Sequence, residues 1–538
     1  MILILDFGSQ TSQLIARRIR DMGVYAEIIA GDSPLNTSIL AGVEGIVLSG
    51  SPESVYDNGP MPDPSLYTCG LPLLGICYGL QCMTFNKGGT VKPLPQREYG
   101  AIRLHIHTEI DERSSAFLAG FDKTIPLEAI KTGTARSKAA AITITVWMSH
   151  GDTITELAPG FLEAGTSANG FPALVVHEKE PWFGVQFHPE VTHCERGAEI
   201  LAAFVFGLCD CRQSWDMEHY AEHIQQSLIE KVGTNPVLLL ISGGVDSTVA
   251  GALLLKSLPP EQVHLMYLDT GLMRKDETDH VTAKLSKLGA QHLTVVHSED
   301  EFLSALAGVE DPEEKRKIIG DLFITVQERE TARLGLPESY FLAQGTLYTD
   351  LIESGKGVGT KAHLIKSHHN VRTPLVAAKR AAGQLVEPLN RLYKDEVRRL
   401  GRVLGVDEET LNRHPFPGPG LAVRILGAVT KEKCALLQEV DAIFIAELKE
   451  RKLYDKIWQA FAVLLPIRSV GVAGDLRHYG SVVALRAITS ADGMTADVYP
   501  FDLKDLLEIA TRITNTVKAV GRVTYDISSK PPATIEWE

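Results

Sequence analysis

The sequence predicts an α/β protein with two parallel-sheet domains, followed by a small α+β domain at the carboxyl end. Two blocks of the chain alternate short apolar runs with amphipathic segments, the first from residue 2 and the second from "NPVLLLISGG". That alternation is typical of parallel strands flanked by helices. A third observation is the glycine and proline cluster "RHPFPGPG", which marks the end of the second block.

The first block contains the apolar runs "ILILDF", "YAEII", "GIVLSG" and "LPLLGIC", separated by segments such as "SQLIARRIRDMG". Strand-like runs resume at "TVWMSHGD", "ALVVHE" and "PWFGVQFHPE", and a helix is expected from about residue 195 to 207. The polar stretch "LCDCRQSWD" at 208–216 breaks this pattern. We therefore place the first domain at residues 1–208.

The second block continues through "VHLMYLD", "HLTVVH" and "SYFLAQG" with the same alternating character. The glycine and proline residues at 413–420 then indicate a rigid connection. Beyond this connection the chain is expected to form a smaller α+β unit that ends in "SSKPPATIEWE". The expected second and third domains are therefore residues 216–412 and residues 413–538.

Composition argues against several classes of protein. The 538 residues carry a formal net charge of -14 and no long basic run, which argues against a nucleic-acid-binding surface. The amino-terminal stretch has no basic leader, and no apolar run approaches the roughly 20 residues of a membrane span. Seven scattered cysteines are too few for a disulfide framework. We expect a cytoplasmic protein with reduced thiols and no nucleic-acid or membrane partner.

Cys77 stands where an apolar strand meets a helix in "LLGICYGLQ". A nucleophile at such a point lies on a tight turn, and small residues two positions away on each side let the backbone approach closely. Gly75 and Gly79 occupy those two positions. The helix that follows directs its amino-terminal amides toward the sulfur, which favours the thiolate over the thiol.

A candidate base and carboxylate follow in "GVQFHPEV", where a strand delivers His188 and Glu190 lies two residues further on. Cys77, His188 and Glu190 could therefore form a nucleophile, base and orienting carboxylate. The backbone N–H groups of Ser51 and Tyr78 are candidate donors to an oxyanion. Alternatively, Cys77 is a buried core thiol and His188 a turn histidine. The glycine spacing and the paired carboxylate together favour the catalytic interpretation.

The strings "DFGSQ", "GICYGLQ", "MSHGD" and "GVQFHPEV" resemble the class I glutamine amidotransferase family. The resemblance implies that Cys77 attacks the side-chain amide of glutamine and that ammonia leaves. Ser51 stands where the family commonly has a second glycine, a change that an oxyanion hole built from backbone donors should tolerate. The segment 124–146 looks longer than the family's usual connection.

A second glycine-rich turn, "SGGVDS", follows an apolar strand but is not a Walker loop, because no Gly-Lys-Ser/Thr follows. Its amides and hydroxyls lie around the start of a helix, where they can cradle an anion. Asp246 suits a magnesium ion that bridges phosphates. A plain helix cap is the alternative for a glycine-rich turn taken alone. The candidate ATP-binding residues are Ser242, Gly243, Gly244, Val245, Asp246, Ser247 and Thr248.

This hexapeptide resembles the loop of the ATP pyrophosphatases, whose fold is like that of the adenine nucleotide alpha hydrolases and which adenylylate a substrate oxygen. The strings "YLDTGLMRKDE", "LAQGTLYTDLIES", "LIKSHHNV", "RHPFPGPGLAVR" and "SSKPPATIEWE" resemble one family, the glutamine-hydrolysing GMP synthetases. The resemblance spans essentially the whole chain. It implies a ligase of guanine nucleotide biosynthesis that adenylylates XMP with ATP and Mg²⁺, then aminates it with ammonia from glutamine.

Residue by residue, the resemblance implies that Arg274, Lys530 and Glu536 contact XMP, and that Lys366 lies on a mobile lid over the active site. It also implies a homodimer formed through the C-terminal domain, which completes the XMP site. A solvated surface charge is the alternative for each of these four residues. After "SHHN" the chain departs from the glycine-rich bacterial form of the lid.

Two other functions stay open at this stage. A different ATP-dependent amidotransferase would adenylylate another carbonyl, for example that of UTP or deamido-NAD. A non-catalytic glutamine sensor or scaffold would need neither a nucleophile nor a phosphate loop. The presence of Cys77, His188 and "SGGVDS" in one chain argues against the second alternative.

Overall fold

The computed structural model describes the chain except for residues 10, 58, 108–111, 140, 354–373, 474–475 and 491–494. The chain divides into two compact units. The first contains Met1–His219, and the second contains Tyr220–Asp350 and the described residues after 373. Each unit has its own sheet of parallel strands, so the predicted fold class is confirmed.

The first unit is built on one sheet, in which nine strands are described. The strands are β1 (Ile2–Asp6), β2 (Ala26–Ala30), β3 (Gly45–Leu48), β4 (Leu73–Ile76), β5 (Thr90–His107), β6 (Ala141–Glu156), β7 (Phe161–Ser167), β8 (Pro172–His177) and β9 (Trp182–Val185). Their order is β2-β1-β3-β4-β9-β8-β7-β5-β6. The strands from β2 to β9 pair in parallel, and the pairs beyond β9 are antiparallel.

The helices of the first unit follow the amphipathic segments of the sequence. They are α1 (Ser12–Asp21), α2 (Tyr78–Asn86), α3 (Glu112–Leu118), α4 (Leu127–Ile130) and α5 (Gly197–Ala202). Helix α1 buries Ile15, Ala16 and Ile19 and carries Arg18 and Arg20 in its last turn, where they meet the negative end of the helix dipole. A π-helical turn extends α5, and together they confirm the helix expected near 195–207.

Two adjacent parallel strands bring the candidate catalytic residues to one edge of this sheet. Strands β4 and β9 are paired, with Ile76 opposite Val185. Cys77 directly follows β4, and His188 lies three residues after the end of β9. Because parallel strands end at the same edge, residues more than a hundred positions apart in sequence meet there.

The long segment 124–146 is part of the scaffold of the first unit. It contains α4 and the beginning of β6, which pairs with β5 in a long antiparallel hairpin. Arg196 donates from Nε to the Gly120 carbonyl oxygen (3.1 Å) and from Nη2 to the Ile125 carbonyl oxygen (2.6 Å). These bonds attach the start of the segment to the turn before α5.

The second unit begins with a parallel sheet whose topology marks a ligand site. Its described strands are β10 (Val237–Ile241), β11 (Val263–Asp269), β12 (His292–His297), β13 (Phe341–Ala343) and β14 (Leu385–Val386), in the order β12-β11-β10-β13-β14. All four pairings are parallel. The chain leaves β10 first to one side and later returns to the other. Crevices at such a switch point bind ligands in open α/β sheets.

The helices from the end of the first unit onward are α6 (Met217–Val232), α7 (Val245–Ser257), α8 (Glu277–Lys287), α9 (Glu299–Ala305), α10 (Pro312–Arg333), α11 (Tyr348–Glu353), α12 (Pro374–Ala381), α13 (Lys394–Val403), α14 (Glu408–Leu411), α15 (Lys431–Glu450) and α16 (Leu503–Thr516). Helices α10 and α15 of the second unit start at side-chain caps. The Asp311 side chain accepts from the Glu314 amide (2.8 Å), and the Thr430 hydroxyl accepts from the Lys433 amide (3.3 Å).

The carboxyl-terminal part of the chain forms a second, smaller sheet. Its described strands are β15 (Gln459–Ala473), β16 (Leu476–Thr489), β17 (Asp497–Val498) and β18 (Val520–Tyr525), and β16 pairs with the other three. Leu238 and Leu342 of the parallel sheet share one apolar core with Phe444 and Leu485. Residues 220–350 and the described residues after 373 therefore lie in one unit, and the expected boundary at 412 stays a prediction, as does the end of the first domain at 208.

All seven cysteines are free thiols. Within the described ranges, none of the helices combines the length and the apolar character needed to span a membrane.

A fully buried lysine ties helix α10 to the end of the chain. Lys315 has no exposed surface, and its Nζ donates to the carbonyl oxygens of Ala422 (3.3 Å) and Ile425 (2.8 Å) and to the Glu538 carboxylate. Arg316 adds a bond from Nη2 to the Glu538 main-chain oxygen (2.5 Å). The last residues of the sequence are thereby held against the turn that follows "PFPGPG".

We expect Lys315→Met to lower the free energy of unfolding of the second unit by about 3 kcal/mol, because it leaves a buried carboxylate without its cation. The urea midpoint of the full chain, followed by circular dichroism, measures the change. Lys317→Met is the matched control, since Lys317 is exposed on the same helix and should change stability by less than about 0.5 kcal/mol. Equal midpoints for the two variants would contradict the assignment.

Candidate active site

Cys77 lies between β4 and α2 with φ of 52° and ψ of −106°. A non-glycine residue at positive φ is strained, and this strain is typical of a nucleophile on a strand-to-helix turn. The Cys77 amide donates to the Val185 carbonyl oxygen (2.7 Å), and no side chain caps α2. The residue is only 5% exposed. Its sulfur is therefore held in a largely buried position at the amino end of a helix.

The glycines on either side of Cys77 are required by space. A Cβ on Gly75 would lie 2.6 Å from the Leu80 amide nitrogen, and a Cβ on Gly79 would collide with the carbonyl oxygen of Leu48. Both contacts involve main-chain atoms, which cannot move aside as the end of a flexible side chain can. The predicted close approach of strand and helix around the nucleophile is therefore present.

His188 lies beside Cys77 and is oriented from its other ring nitrogen. Its amide donates to the Trp147 carbonyl oxygen (3.0 Å), its Nδ1 is 2.8 Å from Glu190 Oε1, and its ring interacts with the Cys77 side chain. Burial lowers the pKa of His188, but the Glu190 charge and the bonds to Cys77 and Glu190 outweigh it. The net effect raises the pKa well above its ordinary value. A protonated imidazole next to the sulfur is the arrangement that activates a cysteine nucleophile.

Glu190 is completely buried, and several groups hold it in place. The Thr11 hydroxyl donates to Glu190 Oε1 (2.6 Å), and Arg18 Nε donates to the Glu190 main-chain oxygen (3.2 Å). Its second carboxylate oxygen, Oε2, has no hydrogen-bond partner among the described residues. The hydrogen-bonded oxygen of the carboxylate, Oε1, is therefore the one that faces the His188 ring.

The two predicted oxyanion donors lie on elements that flank the nucleophile. Tyr78 is the first residue of α2, so its amide is one that a helix leaves without an intrahelical acceptor. Ser51 follows β3, and a Cβ on the preceding Gly50 would lie 3.2 Å from the His188 ring. The loop that carries Ser51 thus approaches the triad. The roles of Ser51 and Tyr78 stay predictions.

Sequence reasoning missed two buried glutamines beside the sulfur. Gln186 Nε2 is 3.5 Å from Cys77 Sγ, and Gln81 Nε2 donates to Gln186 Oε1 (3.3 Å). Both lie in the segments that carry the nucleophile and the base, "GICYGLQ" and "GVQFHPEV". Gln186 is two positions before His188, a spacing that could have indicated a shared side of the chain.

The predicted ATP loop connects β10 to α7 in the second unit. Gly243 has φ of 74°, and the amino end of α7 has no side-chain cap. The hydroxyls of Ser247 and Thr248 donate instead to the Gly244 carbonyl oxygen, at 3.2 and 2.8 Å. The first amides of the helix are therefore available to a phosphate, as in other helix amino termini that bind anions.

Two cations that the sequence analysis did not identify contact this loop. Lys394 Nζ lies 2.6 Å from both carboxylate oxygens of Asp246. Arg413 Nη1 donates to the Gly243 carbonyl oxygen (3.1 Å), and its guanidinium also pairs with the Glu277 carboxylate. Asp246 is thus an anionic oxygen ligand beside the loop, held by a lysine from α13.

Two of the residues expected to bind XMP, Arg274 and Glu536, lie in a buried arginine cluster. Arg274 Nε is 3.3 Å from Asp441 Oδ2, and Arg274 and Arg424 both lie over the Phe416 ring. Burial lowers the pKa of Arg274, Asp441 opposes this, and the charges of Arg424 and Arg413 lower it further. Nε and Nη2 of Arg274 and Nη1 of Arg424 lack hydrogen-bond partners among the residues the structure describes.

Glu536 takes part in this cluster through Arg424. Both carboxylate oxygens of Glu536 accept from the Arg424 guanidinium, at 2.9 and 3.0 Å, and Gln459 Nε2 donates to Oε1 (2.8 Å). Lys530 lies upstream in the same tail and is half-buried. The contacts of Arg274, Lys530 and Glu536 with a nucleotide stay predictions. Lys366 falls outside the described residues.

We expect Glu190→Gln to destabilise the first unit more at about pH 6 than at about pH 9.5. The pKa of His188 is raised in the folded state, so its ion pair with Glu190 stabilises the folded protein. This stabilisation is complete below the pKa of about 6.5 that a histidine has in the unfolded chain. That contribution is lost as the pH rises through the folded value. Urea unfolding of both proteins at the two pH values measures the difference.

Glu199→Gln is the matched control, since it makes the same change in α5 where the carboxylate lies near Arg196 instead of a histidine. Its effect on stability should be the same at both pH values. A Glu190→Gln penalty that did not vary with pH would show that Glu190 does not support a charged His188.

Three family models match successive parts of the chain. Residues 3–208 match the family model described as glutamine amidotransferase class-I, and residues 217–317 match the model described as NAD synthase. Residues 446–537 match the model described as the GMP synthase C terminal domain. The three matches follow the order in which the two α/β blocks and the carboxyl-terminal unit were predicted.

Full-length relatives agree with these matches. A protein of Aquifex aeolicus named GMP synthase [glutamine-hydrolyzing] is 47% identical over 540 residues, covering 100% of this chain and 99% of the relative. A protein of Bartonella bacilliformis with the same name is 47% identical over 538 residues, covering 100% of this chain and 98% of the relative. The chain belongs to the glutamine-hydrolysing GMP synthase family.

Proposed function

We propose that the chain converts XMP to GMP, using ATP to activate XMP and glutamine as the source of nitrogen. The observation that carries this proposal is the joint presence of two sites in one family member. Cys77, at positive φ, lies beside a His188 that Glu190 orients, and a separate glycine loop ends at the uncapped helix α7. The overall reaction takes XMP, ATP, glutamine and water to GMP, AMP, pyrophosphate and glutamate.

In the first site, Cys77 Sγ attacks the side-chain amide carbon of glutamine, and the oxyanion that forms accepts from the amides of Ser51 and Tyr78. The His188 imidazolium donates its proton to the departing ammonia, which leaves a thioester on Cys77. Neutral His188 then takes a proton from water as that water attacks the thioester and releases glutamate. Glu190 keeps the ring in the orientation that both steps need.

In the second site, the xanthine carbonyl oxygen is a poor leaving group until it is adenylylated. Its attack on the α-phosphorus of ATP releases pyrophosphate and forms adenylyl-XMP. Ammonia then attacks the ring carbon that carries the adenylylated oxygen, and that oxygen departs as part of AMP. The amides at the start of α7 and the hydroxyls of Ser242 and Ser247 support placing the ATP phosphates at this loop.

The buried arginine cluster supports an anionic nucleotide at the XMP site. A buried donor without an acceptor costs about 1–3 kcal/mol, and Arg274 and Arg424 together have three such nitrogens. A phosphate or a purine carbonyl placed against them would satisfy these donors. Glu536, held by Arg424, leaves part of its carboxylate to accept from a ring N–H.

Asp246 fits the magnesium ion that ATP chemistry of this kind requires. Its carboxylate offers two hard oxygen donors, the type of ligand that magnesium prefers, and Ser242 and Ser247 of the same loop carry hydroxyl groups. When bound, the ion screens the charge of the phosphates. Lys394 occupies both oxygens of Asp246, so we expect it to release at least one of them when the ion binds. We also propose a cytoplasmic location, where XMP, ATP and glutamine are available.

We expect Cys77→Ala to lower glutamine hydrolysis by about four orders of magnitude, because a methyl group cannot form the thioester. GMP synthesis from high ammonium chloride at raised pH should persist, since free ammonia does not need the sulfur. Asp246→Ala should lose synthesis from both nitrogen sources. Coupled assays of glutamate and GMP formation, run in parallel with each nitrogen source, measure these rates.

Cys82→Ala is the matched control for the cysteine variant. Cys82 is a second buried thiol on α2, and it contacts the Met61 sulfur instead of a histidine. Glutamine hydrolysis should survive this change. A Cys77→Ala protein that folds and binds ATP and XMP but cannot use ammonia would overturn the assignment of two separate chemistries.

We further propose that the chain forms a homodimer through the small carboxyl-terminal sheet. Val470 and Tyr479 form a cross-strand pair on β15 and β16, and Val472 lies on the same side two residues on. Their exposed fractions are 49, 55 and 80%. Large apolar side chains grouped on one exposed face are typical of a surface that another protein covers, and a self-complementary face forms a symmetric dimer.

We expect Val470→Asp with Val472→Asp to convert the dimer into a monomer, since like charges would meet across a symmetric contact. Light scattering on a sizing column measures the mass. Leu162→Asp is the control, because Leu162 is an exposed apolar residue of β7 in the first unit. A doubly substituted chain that kept the mass of a dimer would place the interface elsewhere.

A further inference from the structure

A chain of buried amide groups ends at the sulfur of Cys77. Gln81 Nε2 donates to the Asp152 carbonyl oxygen (3.1 Å) and to Gln186 Oε1 (3.3 Å), and Gln186 Nε2 in turn lies 3.5 Å from Cys77 Sγ. Gln81 is 3% exposed and Gln186 is not exposed at all. Two amide side chains are thus withdrawn from water and connected in series behind the nucleophile.

The direction of every bond in this chain is set by a main-chain atom. The Asp152 carbonyl oxygen can only accept, so Gln81 must present its NH₂ group to it. The second hydrogen of that NH₂ group faces Gln186, which must therefore present its oxygen. The opposite end of the Gln186 amide, Nε2, is left facing Cys77 Sγ.

Each protonation state of Cys77 then has a partner of the right kind. The thiol can donate to the Ser149 carbonyl oxygen, which lies 3.9 Å from the sulfur. The thiolate can accept from Gln186 Nε2 and from the His188 ring, which lie on the same stretch of chain after β9. Hydrogen bonds to a charged group are stronger than neutral ones, so a fixed donor favours the thiolate.

Asp152 also connects this chain of amides to the loop that carries the candidate oxyanion donor. Its carboxylate accepts from Ser54 Oγ (2.5 Å) and from the Tyr56 hydroxyl (2.7 Å). Ser54 and Tyr56 lie in the loop after Ser51. One residue therefore anchors that loop by its side chain and orients the amides by its main chain.

We propose that Gln186 is a further residue of the glutamine-hydrolysing site, where it donates to the Cys77 thiolate, and that Gln81 is a positioning residue that fixes the Gln186 amide. The inference rests on the proposed function of Cys77. Before the attack on the amide carbon, donation from Gln186 holds the thiolate in line with the triad, so that Gln186 and His188 share the charge on the nucleophile. The Gln186 amide itself gains and loses no proton.

The test is the pH dependence of alkylation of Cys77 in the full chain, with iodoacetamide as the probe and peptide mass spectrometry to quantify the labelled cysteine. Gln186→Met removes the donor while keeping a similar unbranched shape. We expect its alkylation midpoint to move up by about one pH unit, and its glutamine hydrolysis at neutral pH to fall about tenfold or more. An unchanged alkylation profile in a folded Gln186→Met protein would overturn the proposal.

A double-mutant cycle separates the roles of the two glutamines. Gln81→Met should shift the midpoint by less than Gln186→Met, because the Gln186 amide then loses its orientation but keeps its donor. The double variant should shift no further than Gln186→Met alone. If the two shifts added up in the double variant, Gln81 would act on the sulfur independently. That result would overturn the proposal that Gln81 acts through the Gln186 amide.

Thr84→Val is the matched control, since it removes a buried hydroxyl of α2 that has no hydrogen-bond partner among the described residues. It should leave the alkylation midpoint unchanged, and circular dichroism confirms that each variant is folded. The alkylation readout does not depend on turnover. Failure of the proposed function would instead appear as glutamine hydrolysis that survives Cys77→Ala.

Discussion

The hydrogen bond between the buried Glu190 carboxylate and His188 is the interaction on which the first site depends. A buried carboxylate is costly unless it is paired and hydrogen-bonded. Here Thr11, Arg18 and His188 all donate hydrogen bonds to Glu190. Those donors come from the loop after β1, from α1 and from the turn after β9. The triad is therefore connected to several elements of the unit, and the raised pKa of His188 is a consequence of that enclosure.

Both units have their candidate site at a turn between a strand and a helix, but a different type of residue takes positive φ in each turn. In the first unit a side chain must project into the site, so a cysteine accepts positive φ and glycines two positions away make room for it. In the second unit the proposed contacts to the ATP phosphates come from main-chain amides. Gly243 takes positive φ there, and a Cβ at that position would collide with Val281 of α8. The identity of the residue at positive φ thus reflects which atoms perform the chemistry.

The parts of the site that could be predicted from sequence are those encoded within a few residues. Gly75, Cys77 and Gly79 form one turn, and His188 and Glu190 are two positions apart, so strings of five to seven letters carry them. The missed contacts join residues far apart in the chain. Gln81 and Gln186 differ by 105 positions, and Asp246 and Lys394 by 148. Such pairs depend on strand order, which the apolar pattern does not specify. The core that Leu238 shares with Phe444 is not visible in the sequence for the same reason, since both are ordinary apolar positions there.

The arginine cluster of the second unit, where we propose that XMP binds, buries three cations in a chain of net charge -14. Each arginine is paired with one carboxylate: Arg413 with Glu277, Arg274 with Asp441 and Arg424 with Glu536. Each pair lowers the cost of burying a guanidinium and restricts the orientations it can adopt. The guanidinium has five donors, and one carboxylate cannot satisfy all of them. The remaining N–H groups of Arg274 and Arg424 are therefore held in place before any ligand arrives, so less conformational entropy is lost on binding. The carboxylates of these pairs contribute to the negative net charge of the chain. At this site they also allow the arginines to be buried.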